Sequence, residues 1–153
     1  MITAPSMPQL LETLRDELGD KVLPSLDDPT TKVTVEMMMA VLNQLAVRSE
    51  NEIAWMLDEC AAIEEAAASY SGASDDAAMA AALAAFRGGR AETMHLSVVA
   101  ADYGRACEVL SCLAEAAYAA GDEAAIAEVQ RLIDARLATE QAAIGEFIAV
   151  GRD

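Results

Sequence analysis

Eight residues, Leu96, Val99, Tyr103, Ala106, Leu110, Leu113, Ala117 and Ala120, follow one another at alternating steps of three and four. Steps of that kind put all eight on one stripe of a single long helix. Such a stripe needs an apolar partner, and alanine-rich segments on either side of it supply candidates. The expected fold is all-α: an antiparallel bundle of four long helices plus one short helix, built as a single domain over residues 1–153. Hydrophobic residues make up 54% of the chain but aromatic ones only 4%. Alanine permits close helix approach but fills little volume, so the core should be shallow and the helices closely spaced.

A first helix opens at Met7 or Pro8, with Leu11, Leu14, Leu18 and Val22 as its expected buried stripe, and Pro24 ends it. Asp28 followed by Pro29 starts the next. No glycine or proline then interrupts the chain as far as Ser71, while the apolar track runs through Val35, Met38, Leu42, Leu45, Ile53, Met56, Cys60, Ile63, Ala67 and Tyr70. Ser49 and Glu52 also read as a capping box, which leaves two alternatives, one long helix or two meeting near Ser49. The single helix is preferred, because a break ordinarily brings a glycine or proline. Ser71–Ser74 is a turn, and Ser74 or Asp75 caps a short helix ending at Gly88-Gly89. The ladder helix follows from about Glu92, Gly121 closes it, and Asp122 caps a last helix carrying Ile126, Val129, Ile133, Leu137, Ile144 and Phe147.

The formal net charge is −16, from 26 acidic and 10 basic residues. Nucleic acid and anionic lipid are repelled by such a surface, which argues against both as partners. The uncharged stretch Ala77–Phe86 is too short and too alanine-rich to span a bilayer. Cys60, Cys107 and Cys112 form neither a framework nor a CxxC pair, so free thiols in a reducing compartment are expected. The first residues lack a charged start followed by an apolar run, and the expected location is cytoplasmic.

Few residues carry chemistry. Glu92 and His95 match the Glu-x-x-His element of di-iron carboxylate bundles. Such a site needs two elements, whereas this is the chain's one histidine, and Thr93 as a cap would leave Glu92 outside the helix. They are weak metal candidates, and no cofactor is expected. The acidic residues Glu50, Glu52, Asp58, Glu59, Glu64 and Glu65 fall mostly away from the apolar track and read as a solvated face. Met37, Met38 and Met39 cannot all face one core, so at least one should lie at a helix boundary or a partner surface. Met38, Met56, Met94, Tyr103 and Gly104 are the candidates for contact with a small ligand, although gap-filling by methionine and close helix packing at Gly104 explain them as well.

The segments Leu10-Leu11-Glu12-Thr13-Leu14-Arg15-Asp16-Glu17-Leu18, Val22-Leu23-Pro24-Ser25-Leu26 and Ala40-Val41-Leu42-Asn43-Gln44-Leu45 resemble a family of small α-helical bacterial domains. That family accompanies aminoglycoside-phosphotransferase-like proteins and acyl-CoA dehydrogenases. The resemblance covers the first third of the chain. It implies an accessory helical domain near acyl or small-molecule catabolism and assigns no catalytic residue. The leading expectation is a non-catalytic accessory or protein-interaction bundle that forms a homodimer. A helix from Pro29 to Ser71 would extend about 60 Å, against a radius of gyration near 15 Å for a compact domain of this length. Its projecting apolar track would then want a two-fold partner. The alternative is a small-molecule-binding helical domain, and the third is a metal-dependent enzyme using Glu92 and His95.

Overall fold

The computed structural model describes residues 4–70 and 76–145. The fold is all-α, with α1 at Met7–Glu17, α2 at Pro29–Ser69, α3 at Ala77–Gly88, α4 at Leu96–Ala120 and α5 at Glu123–Ile144, and no strand among the described residues. Three helices exceed twenty residues, whereas α1, with 11, is no longer than α3, with 12. The expected turn at Ser71–Ser74, the caps at Ser74 or Asp75, and Phe147 lie outside the described residues. Contacts divide the chain into two compact units, Met1–Glu52 with Glu140–Asp153, and Ile53–Thr139.

In the first unit, the backbone N–H of Ser6 donates to Gln9 Oε1, tying down the entry to α1. The chain does not straighten at Glu17. It widens into a π-type turn over Leu18–Val22 and closes in a 3-10 turn over Leu23–Ser25, so Pro24 sits in a last tight turn. Asp28 Oδ2 then accepts from the backbone N–H and the hydroxyl of Thr31, which opens α2. Those bonds hold the Asp28 carboxyl below its usual range, the hydroxyl contributing most. Only Val35 and Ala46 are buried among this unit's described residues. The expected stripe of α1 is corrected accordingly: Leu11 and Leu18 are half-buried, while Leu14 and Val22 are exposed. The reason lies in how α1 meets α2. Arg15 donates to Asn43, and Gly19 in the π-type turn faces Met39, so the contact with α2 runs through Arg15 and Gly19 and not through Leu14.

α2 is one helix of 41 residues. Ser49 lies within it and bonds the carbonyl of Ala46 instead of capping a new helix. Of its expected track, Val35, Cys60, Ile63 and Ala67 are buried, whereas Met38 and Leu45 are exposed.

The second unit holds the core. Cys60, Ile63 and Ala67 of α2, Met79 and Phe86 of α3, Ala106, Val109 and Leu113 of α4, and Val129 and Leu132 of α5 form one cluster. Asp76, which accepts from the N–H of Met79 through its side chain, caps α3. α4 starts later than Glu92, with His95 as its N-cap residue, so the ladder begins beyond its cap with an exposed Leu96 and ends with an exposed Ala120. Its middle members, from Val99 to Ala117, are buried except for the half-buried Tyr103. Gly121 closes α4 in the left-handed region (φ 63°), and the N–H of Asp122 returns to the carbonyl of Ala117. In α5, Val129 and Leu132 face the core, while the expected Ile133, Leu137 and Ile144 are exposed, because the buried line continues through Arg136 instead.

Candidate functional site

Two polar clusters stand on the core of the second unit. The first rests on a charge at a core position. Asp102, three residues after Val99 and four before Ala106, lies on the buried stripe of α4 and is 1% exposed. An ionised carboxylate there needs several donors. It receives the Ala91 N–H at 3.2 Å, and its oxygens stand 3.3 Å from Arg105 and 3.7 Å from Arg90. Arg105 also donates to the carbonyl of Gly89, and a Cβ on Gly89 would come within 2.8 Å of Arg105 Nε. A side chain at 89 would therefore have to displace the Arg105 guanidinium from its place against the connection. Arg90 lies over the Phe86 ring, 4.8 Å from its centroid, and bonds Glu64 at 2.8 Å, as does Arg87. Two carboxylates and three arginines thereby tie α2, α3 and α4 to the connection between α3 and α4.

The second cluster joins α2, α4 and α5. Glu59 accepts the Tyr103 hydroxyl at 3.0 Å through one oxygen and the Arg136 Nε at 2.6 Å through the other. Arg136 also lies over the Tyr103 ring at 5.5 Å and approaches the Cys107 sulfur at 3.3 Å. Burial, then the bond to Glu59, pushes the Tyr103 phenol well above its usual value. That phenol stays protonated and donates. The arrangement is a donor–acceptor lattice in which Glu59 and Arg136 are each other's counter-ion.

Two clefts border these helices. One of about 460 Å³ opens over Leu113 and Ala66 beside Tyr70, with Glu65, Asp122 and Glu128 on its rim. A smaller one of about 230 Å³ lies between Trp55 and Asp58 of α2 and Arg131 and Ala135 of α5.

None of the ligand or metal candidates singled out from the sequence lines either cleft. Met38 is half-exposed in the first unit, Met56 is half-buried on α2, and Met94 is 68% exposed in the connection before α4. Tyr103 is part of the Glu59 lattice. A Cβ on Gly104 would meet nothing within 4 Å, so close helix packing does not explain that glycine. Glu92 precedes α4 and His95 is its N-cap, so the two do not share a helix face. Among the described residues, no group of three His, Cys, Asp or Glu side chains is placed to hold a metal ion.

Asp102 and its arginines were missed in the sequence, although a signal existed. An acidic residue at the stripe spacing between Val99 and Ala106, with Arg105 three residues on, marks a paired buried charge. Glu59 and Arg136 left no such signal, being 77 residues apart. Comparison with protein-family models, with curated proteins and with solved structures finds no match.

Proposed function

We propose that this protein is a non-catalytic accessory or protein-interaction module, an antiparallel helical bundle in the cytoplasm that works as a homodimer. The observation carrying this reading is the exposure of large apolar side chains in the first unit, where Met37, Met38 and Val41 are each more than half exposed. Scattered apolar residues on a surface need no explanation, but consecutive turns of one helix do. The absence of helices able to cross a membrane among the described residues agrees with a protein partner. The two clusters of the second unit support the same reading, since Glu64, Asp102 and Glu59 are each paired with arginine and the Glu64–Arg87 and Glu59–Arg136 pairs join different helices. The resemblance of the leucine-rich segments in the first third to helical domains that accompany phosphotransferase-like and acyl-CoA dehydrogenase proteins suggests an accessory place beside acyl or small-molecule catabolism.

Light scattering coupled to size exclusion tests the self-association. At tens of micromolar the expected mass is twice the 16.1 kDa of the chain. A strictly monomeric mass at that concentration overturns the homodimer.

The cleft over Leu113 favours a second reading, a small-molecule-binding domain, because its apolar floor and polar rim are the usual make-up of a ligand pocket. A thermal-shift screen of small metabolites distinguishes the two. A saturable stabilisation abolished by Ala66→Leu would move the function to this cleft.

A further inference from the structure

We infer that the second copy docks on the helical hairpin formed by α1 and the first half of α2, closing a four-helix bundle across a two-fold axis. The inference rests on the homodimer reading and names its surface.

The hairpin is antiparallel: Arg15 of α1 meets Asn43 and Gly19 of the following π-type turn meets Met39, so later residues of the first arm face earlier residues of α2. The Met39 methyl occupies the space beside Gly19, where a Cβ would stand 2.9 Å from Met39 Cε. The triplet of methionines is split by the contact. Met39 turns toward the hairpin, while Met37 and Met38 are left outside.

What remains outside is patterned. On α2, Met38, Val41 and Leu45 recur at steps of three and four, the spacing of a coiled-coil seam. On α1, Met7, Leu10 and Leu14 repeat that spacing. These six side chains and Met37 are 45–62% exposed. Together they offer on the order of several hundred Å² of apolar surface, approaching the about 800 Å² that each partner brings to a standard interface. Among the described residues of the unit only Val35 and Ala46 are buried, few against so many apolar positions.

Charge selects the occupant. From Met37 to Val47 the chain has no charged residue on any face of α2, three helical turns in a protein of net charge −16. A basic partner would be drawn to the acidic surfaces and would gain nothing from this strip. Two copies of one acidic chain repel wherever their carboxylates meet, so they associate most readily where carboxylates are absent. Two hairpins joined face to face satisfy both conditions and give the antiparallel packing of a small four-helix bundle.

Sedimentation velocity on the full chain tests the surface, with Val41→Glu and Leu45→Glu in the strip and Leu137→Glu as a control on an exposed apolar position of the second unit. The expected result is a dimer for the wild type and for Leu137→Glu, and at least a hundredfold weaker association for either strip variant. Far-ultraviolet circular dichroism checks that helix content is kept. Should a strip variant lose its helices, the milder Val41→Ser and Leu45→Ser must still weaken association by tenfold or more. A wild-type dimer that both strip variants leave intact overturns the inference while the homodimer stands. A monomeric wild type overturns both. A monomer that floats with phosphatidylcholine vesicles assigns the strip to lipid and likewise overturns the inference.

Discussion

The two halves of α2 are made from similar residues and end in different surroundings. In the half within Ile53–Thr139, the apolar track of Cys60, Ile63 and Ala67 is fully buried among side chains of α3, α4 and α5. In the half within Met1–Glu52, Met38, Val41 and Leu45 hold the same helical spacing and are about half exposed. Periodicity is thus the same on both sides of Glu52, and cover is not. An amphipathic stripe records that a helix wants a partner. It does not record whether that partner belongs to the same chain.

The largest effect that would break this contrast is in the covered half. Phe86, fully buried under Arg90, anchors α3 on the core. Phe86→Ala should cost about 3–5 kcal/mol in urea unfolding. A loss near that of a surface change would mean that the core lies elsewhere. Next comes the buried charge. Asp102→Ala removes the acceptor shared by Ala91, Arg90 and Arg105 and should cost about 3 kcal/mol, the lower end for a broken buried pair because both arginines are part-exposed.

Alkaline pH sharpens the contrast further. Burial, with Asp102 nearby, pushes the Cys60 thiol from 9.0 up to about 11. The folded state therefore keeps a proton that the unfolded chain releases earlier. That stabilisation is complete below pH 9 and is lost as pH rises toward about 11, on the order of 2–3 kcal/mol. Cys60→Ala should flatten this part of the stability–pH curve relative to the wild type, and a curve of unchanged slope would count against a sealed thiol. The smallest effect belongs to the uncovered half. In dilute solution, where association is absent, Val41→Ala should shift stability by no more than about 0.5 kcal/mol. A loss of 2 kcal/mol there would show that this side chain is covered within its own chain.

Much of the fold was legible in the sequence. Asp28 with Pro29, Gly121 with Asp122, and the unbroken run to Ser69 are local signals, because caps and breakers act through the backbone within one turn. The ladder was right in its middle and wrong at its ends, since Leu96 and Ala120 follow the period but are exposed. Leu14, Leu137 and Ile144 failed for the same reason. The candidate site was far less legible. Tyr103 was picked as a ligand contact, yet its partners Glu59 and Arg136 come from two other helices and share no spacing that would betray them. Glu92 and His95 had the spacing of a site and lost it because α4 starts at Leu96.

The sequence by itself determined the helical class, the caps and the breaks, because these depend on propensity and on backbone bonds spanning only a few residues. Tertiary structure alone decided which stripes are sealed and which stay open, and that Asp102 and Glu59 would be neutralised by arginines distant in the chain. Burial and ion pairing are properties of what lies across a contact, and one helix's pattern carries no record of its neighbour.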